Sequence, residues 1–227
     1  RKFLPLVTKE LRIYGMDGQD KFVMHGDNDK IKVRLIGGGG EDVFENPGSK
    51  QSGALIYDRP DGDNKITGRF TTKMSNDSAV NKFERIYYKY PFQSIFGTLG
   101  YNPDDGVSIG PTFKYIRHGF RKVPYKTLHQ LKVTYAFSTK AVNFRYNNEF
   151  ISVLGDKTDI VTDIEYRGPN NTSNFFGYGV TSIYDKTQTG KFRFYRIRYD
   201  LGDISLQLRQ RFSDKVMLLF GPTYQFY

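Results

Sequence analysis

The chain has 227 residues, with 17 Tyr and 19 Phe but no Trp and no Cys, and a formal net charge of +10. The missing cysteine excludes disulfide scaffolds and thiolate-held metal, and the aromatic content excludes a disordered chain. No run approaches the roughly 18 apolar residues of a helical membrane span, a limit that leaves barrel strands untouched.

Residues 1–70 are expected to be a Gly/Asp-rich β module. "ELRIYG", "DKFVMHG", "KIKVRLIG", "EDVFE" and "GALIYD" each run into turn residues, as short strands do. "IYGMDGQDKF" (13–22) returns 22 residues later as "LIGGGGEDVF" (35–44), pairing Gly15 with Gly37, Asp20 with Asp42 and Phe22 with Phe44. A third copy, "ALIYDRPDGDNKI", fades. Residues 71–106 are expected to be a linker, with one short helix, and the entry to a barrel.

From residue 107 the chain alternates with period two, the mark of strands. Eight are expected, near 107–117, 127–137, 141–153, 157–168, 178–185, 191–201, 204–212 and 215–227. One face carries Phe113, Tyr115, Phe144, Tyr146, Leu206 and Leu208, and the other Lys114, Arg145, Glu149, Asp163, Glu165, Arg167, Arg209 and Arg211. Several segments exceed nine residues, whereas soluble strands average about 5–6 and outer-membrane strands need roughly 9–11. Ionised groups in rows suit a wet lumen, and the aromatic face suits lipid. The expected fold is therefore all-β, an antiparallel transmembrane barrel behind a small β module. "STK" and "GD" read as tight periplasmic turns and "RHGFRKVPY" as an external loop. "GPNNTSNFFG", long for a periplasmic turn, and "SD", short for an external loop, do not fit this alternation.

"YNPDDGVSIGPTFKY" (101–115), "GFRKVPY" (119–125) and "NFFGYG" (174–179) resemble the surface-antigen barrels of the BamA/TamA outer-membrane superfamily, in a Bacteroidetes-type branch. The resemblance covers the chain from about residue 11 onward. It implies a sixteen-stranded barrel of which this chain supplies half, and a preceding periplasmic calcineurin-like metallophosphoesterase. It also implies anchoring in the outer membrane, with a role in inserting or translocating protein or lipid. The partners it implies are outer-membrane lipids, lipopolysaccharide, the other half of the barrel and other outer-membrane assembly proteins. The sequence starts at Arg1 without an initiator Met or signal peptide and reads as a piece of a longer polypeptide. "FGPTYQF" (220–226) resembles a terminal barrel signal instead, which would let eight strands close alone. The superfamily's Arg-Gly-aromatic loop motif and the phosphoesterase metal motifs are absent from these residues.

The repeated phrase is near Gly-Gly-x-Gly-x-Asp-x-apolar, the calcium turn of β-rolls. If each 22-residue unit is one solenoid coil, Asp20 and Asp42 stack, and calcium, which takes oxygen ligands, is the candidate cofactor. The preferred reading is structural: glycine supplies the turn and Asp caps it. The alternative function that follows from the calcium reading is a soluble, secreted β-roll-like protein. His25, His118 and His129 are scattered and no catalytic constellation is expected. "KFRFYRIRYD" separates its aromatic and basic residues onto two faces, whereas a nucleic-acid binder would mix them, so nucleic acid is not an expected partner.

Overall fold

The computed structural model describes residues 1–26, 30–48, 53–76, 78–85, 88–179, 187, 195–213 and 215–227. The chain divides into two compact units, residues 1–88 and 89–227.

The first unit is a small parallel β-solenoid. β1 (Glu10–Asp17), β3 (Lys32–Gly39), β5 (Ala54–Tyr57) and β7 (Thr71–Thr72) form one parallel sheet. β2 (Lys21–Val23), β4 (Val43–Glu45) and β6 (Lys65–Thr67) form the other. Glu10 pairs with Lys32 and Lys21 with Val43, so the 22-residue repeat of the sequence is one coil. Val33, Leu35, Phe44, Ala54 and Ile56 fill the space between the sheets, with Phe22 stacked on Phe44 at 5.0 Å. The short helix expected in the linker is one turn, α1 (Ser78–Asn81), inside this unit and against β3.

The second unit is one antiparallel sheet of eight strands: β8 (Phe92–Asn102), β9 (Gly106–Gly119), β10 (Lys122–Ala136), β11 (Val142–Phe150), β12 (Thr158–Asn174), β13 (Arg196–Arg211), β14 (Met217–Phe220) and β15 (Thr223–Phe226). Each strand pairs with the next, except that β14 and β15 both lie along β13, separated at Gly221–Pro222. Several expected boundaries are corrected. Residues 92–102 are a full strand, not an entry segment. Gly202–Asp203 is no turn, because both residues pair with β12, and 191–201 and 204–212 therefore belong to one strand as far as they are described. The expected 157–168 strand runs on to Asn174. The expected strand 178–185 lies almost wholly outside the described residues.

These changes also alter the expected connections. The β9–β10 connection is only Phe120–Arg121, so "RHGFRKVPY" is a hairpin tip and two strand ends rather than a long loop. It shares one end of the sheet with residues 151–157, 212–216 and the start of β8. The opposite end carries 103–105, 137–141, the end of β12 at Asn174 and the start of β13 at Arg196.

Candidate functional site: the polar face and the Asx ladder

Strand register sorts the side chains of the sheet into two unlike faces. One row runs Ile95–Phe113–Leu131–Tyr146–Ile164–Ile204–Tyr224, apolar or aromatic in every strand it crosses. The adjacent row runs Ser94–Lys114–Gln130–Asn147–Asp163–Ser205–Thr223, polar throughout. Phe113, Tyr115, Phe144, Tyr146, Leu206 and Leu208 all fall on the first face. Lys114, Arg145, Glu149, Asp163, Glu165, Arg167, Arg209 and Arg211 all fall on the second. The apolar face is uncovered: Ile95 is 74% exposed, Leu99 76% and Tyr224 66%.

The polar face is knitted by charge. Arg145 lies 3.2 Å from Asp163, Arg167 2.7 Å from Glu165, and Arg209 2.6 Å from Glu149. Asp159, which sequence reading passed over, is the centre of a denser cluster. It accepts from Arg209 Nε (2.9 Å), Arg211 Nη2 (3.0 Å) and the Ser152 backbone N–H (2.8 Å), and it is 1% exposed.

This face is concave. Asp105, on the turn between β8 and β9, reaches over β10 and β11 to β12, accepting from the Thr172 backbone N–H (2.9 Å) and hydroxyl (3.2 Å). Asn174 Nδ2 donates to Asp104 Oδ1 beside it (2.9 Å). The register of β12 against β13 shifts between Arg167 and Asn171, letting the end of β12 meet the turn. Below this tie lies a cavity of about 280 Å³ whose lining includes Asn102, Asp105, Lys132, Arg145, Arg167 and Tyr199.

In the solenoid, Asp20 and Asp42 do stack, and the ladder continues to a third member that the sequence reading missed. Asp20 N–H donates to Asp42 Oδ1 and Asp42 N–H donates to Asn64 Oδ1, both at 2.8 Å and both spanning 22 residues. Asn64 was readable at that spacing, but its chemistry differs and the echo was hidden. Asp58 joins from another direction. β5 pairs with β3 at a spacing of 21, Ile36 opposite Tyr57, which brings Asp58 to the level of Gly37. A Cβ on residue 37 would lie 2.1 Å from Asp42 Oδ2 and 2.2 Å from Asp58 Oδ2, so only glycine leaves the two carboxyls room. Asp42 and Asp58 are each 1% exposed, and the Oδ2 atoms of Asp20, Asp42 and Asp58 are buried without a partner. Among the described residues, no group of three or more His, Cys, Asp or Glu side chains is placed to hold a metal ion.

Burial first, and then the neighbouring Asp42 carboxylate, push the Asp58 carboxyl up to about 6. Because the folded value is raised, the favourable protonated state is fully present below the ordinary carboxylate range and is lost as pH rises through about 6. Asp58→Asn keeps an acceptor for the Arg59 N–H and gives Asp42 a donor. The variant is expected to stabilise the solenoid by about 1–3 kcal/mol at pH 7.5, with the gain vanishing near pH 4. Urea unfolding at both pH values checks this; an equal effect at the two values refutes it.

Comparison with family models, with curated proteins and with solved structures finds no match.

Proposed function

We propose that residues 92–227 are membrane-embedded strands of an outer-membrane β-barrel of the BamA/TamA-like surface-antigen kind, and that residues 1–88 are its periplasmic module. The observation that carries this reading is the uncovered apolar face running through all eight strands, backed by a polar face dense in ion pairs. Lipid is the solvent that such a face suits, because burying it under a second sheet would need a partner layer. The chain then serves as an anchor for a larger polypeptide and aids the insertion or translocation of protein or lipid, with lipopolysaccharide and other outer-membrane assembly proteins as its neighbours. Two open edges in hydrocarbon would leave backbone groups unpaired at several kcal/mol each. The remaining half of the barrel would pair them. With the N-terminal module periplasmic, β8 starts on the periplasmic side. The end of β12 at Asn174 and the start of β13 at Arg196 then lie at the outward end of the sheet.

The absence of native cysteine makes the test direct. Single cysteines replacing Phe144 and Leu206 should resist a membrane-impermeant, water-borne thiol reagent in vesicles and be quenched by lipid-borne nitroxide after labelling. Arg145→Cys and Asp163→Cys should show the reverse. Equal reactivity of the two sets with the water-borne reagent would sink the barrel reading.

A second reading draws on the unpartnered Oδ2 atoms of Asp20, Asp42 and Asp58. In it the N-terminal unit is a calcium-binding β-roll-like module of a secreted protein. Calcium should then slow amide exchange across residues 10–67, and chelator should restore it. Exchange rates indifferent to calcium exclude it.

A further inference from the structure

Lys132 and Arg145 stand directly opposite each other on β10 and β11, and both line the cavity beneath Asp105. Like charges facing one another across a ladder destabilise the pair. Arg145 is offset by Asp163 at 3.2 Å and Glu165 at 4.0 Å. Glu165 is shared with Arg167, at 2.7 Å. Lys132 has no counter-ion among the described residues. The other lining carboxylate does not serve it: Asp105 commits Oδ1 to Thr172 and Oδ2 to Asn102 Nδ2 (2.9 Å). The cavity therefore holds a cation pair, directly opposed across the ladder, with Lys132 uncompensated. A local rule broken without a compensating contact points to a functional site.

We propose that this cavity binds an oxyanion, the phosphate or carboxylate group of a small molecule. Lys132 supplies a point charge and Arg145 a planar fork, the two complementary ways side chains hold such groups. Tyr199 adds a hydroxyl: it accepts from Arg167 Nη1 at 3.5 Å, which leaves its own proton free to donate. The tie between Asp105 and Thr172 borders the site on one side. The proposal stands on the cavity alone and does not depend on the membrane reading.

The test is calorimetric titration of the full chain in detergent with inorganic phosphate at constant ionic strength. Lys132→Met is expected to weaken phosphate binding roughly tenfold or more, the loss of one charge-assisted contact. In phosphate-free buffer the same variant should melt at or above the wild-type temperature, because a repulsion has been removed. Lys132→Gln serves if the methionine variant does not fold. Lys114→Met lies on the same face outside the cavity and should keep wild-type affinity. No saturable phosphate binding, unchanged affinity in Lys132→Met, or an equal loss in Lys114→Met overturns the proposal. Displacement by glycerol phosphate identifies a free metabolite and displacement by phosphatidylglycerol micelles a lipid headgroup; either supports the oxyanion site.

Discussion

Asp159→Ala is expected to destabilise the antiparallel sheet by about 3–5 kcal/mol, as removal of one partner from a buried ion cluster does. The carboxylate is 1% exposed and is the shared acceptor for Arg209, directly opposite it on β13, and for Arg211. Without it, Arg209 keeps Glu149, but among the described residues Arg211 retains only neutral acceptors, Ser152 Oγ and the Asp156 carbonyl, both at 3.0 Å. The loss also frees the Ser152 N–H that Asp159 holds at 2.8 Å, so the damage spreads into the connection 151–157. Asp159→Asn preserves one acceptor and should cost about half as much, since a neutral hydrogen bond is weaker than a charge-assisted one. Thermal unfolding in detergent ranks the three proteins, and limited proteolysis should cut first within 151–157 in the alanine variant. A melting temperature for Asp159→Ala within a degree or so of wild type contradicts the assignment of Asp159 as the cluster's centre, given the several degrees that about 1 kcal/mol moves.

Gly38→Ala should open the solenoid, at a cost of about 2–4 kcal/mol. Two separate penalties meet there. The backbone has φ of +114°, a conformation L side chains rarely adopt, and a Cβ would lie 1.9 Å from the Met16 carbonyl oxygen of the preceding coil. The neighbouring coil can yield only by breaking the β1–β3 register that pairs Met16 with Gly38. Gly18→Ala is the matched control: φ is +116° but nothing lies within 4 Å, so only the strain remains and the cost should be smaller. Hydrogen exchange followed by mass spectrometry localises the effect. Protection should fall across residues 10–45 and persist in 92–174. Equal behaviour of the two glycine variants would show that strain alone, and not coil contact, governs the site.

What was legible in the sequence was whatever repeats or alternates locally. The return of Gly15, Asp20 and Phe22 at Gly37, Asp42 and Phe44 is the coil length itself, and the alternation in "VNFRYNNEF" gives both faces of β11 correctly. Strand β8 escaped because its alternation is blurred: Phe96 falls on the polar face, opposite Thr112, and Gly97 on the apolar one. Gly202–Asp203 looks like a turn by residue type, yet Phe226 of β15 packs its ring where a Gly202 side chain would stand. There the sheet overrides local preference, as strands commonly do. Asp159, Asp105 and Lys132 were invisible for a different reason. Their significance lies in partners or missing partners 13 to 67 residues away, and no local pattern records such pairings.

The taper of the solenoid bears on how the protein behaves when concentrated. Parallel coils are prone to add end to end, and a fibre needs a receptive edge at both ends of every chain. Here the first edge, β1, is eight residues long, but the last, β7, is two exposed threonines, Thr71 and Thr72. With β6 of three residues as its other strand, the last coil therefore offers a shorter edge for pairing with a neighbouring molecule than the first.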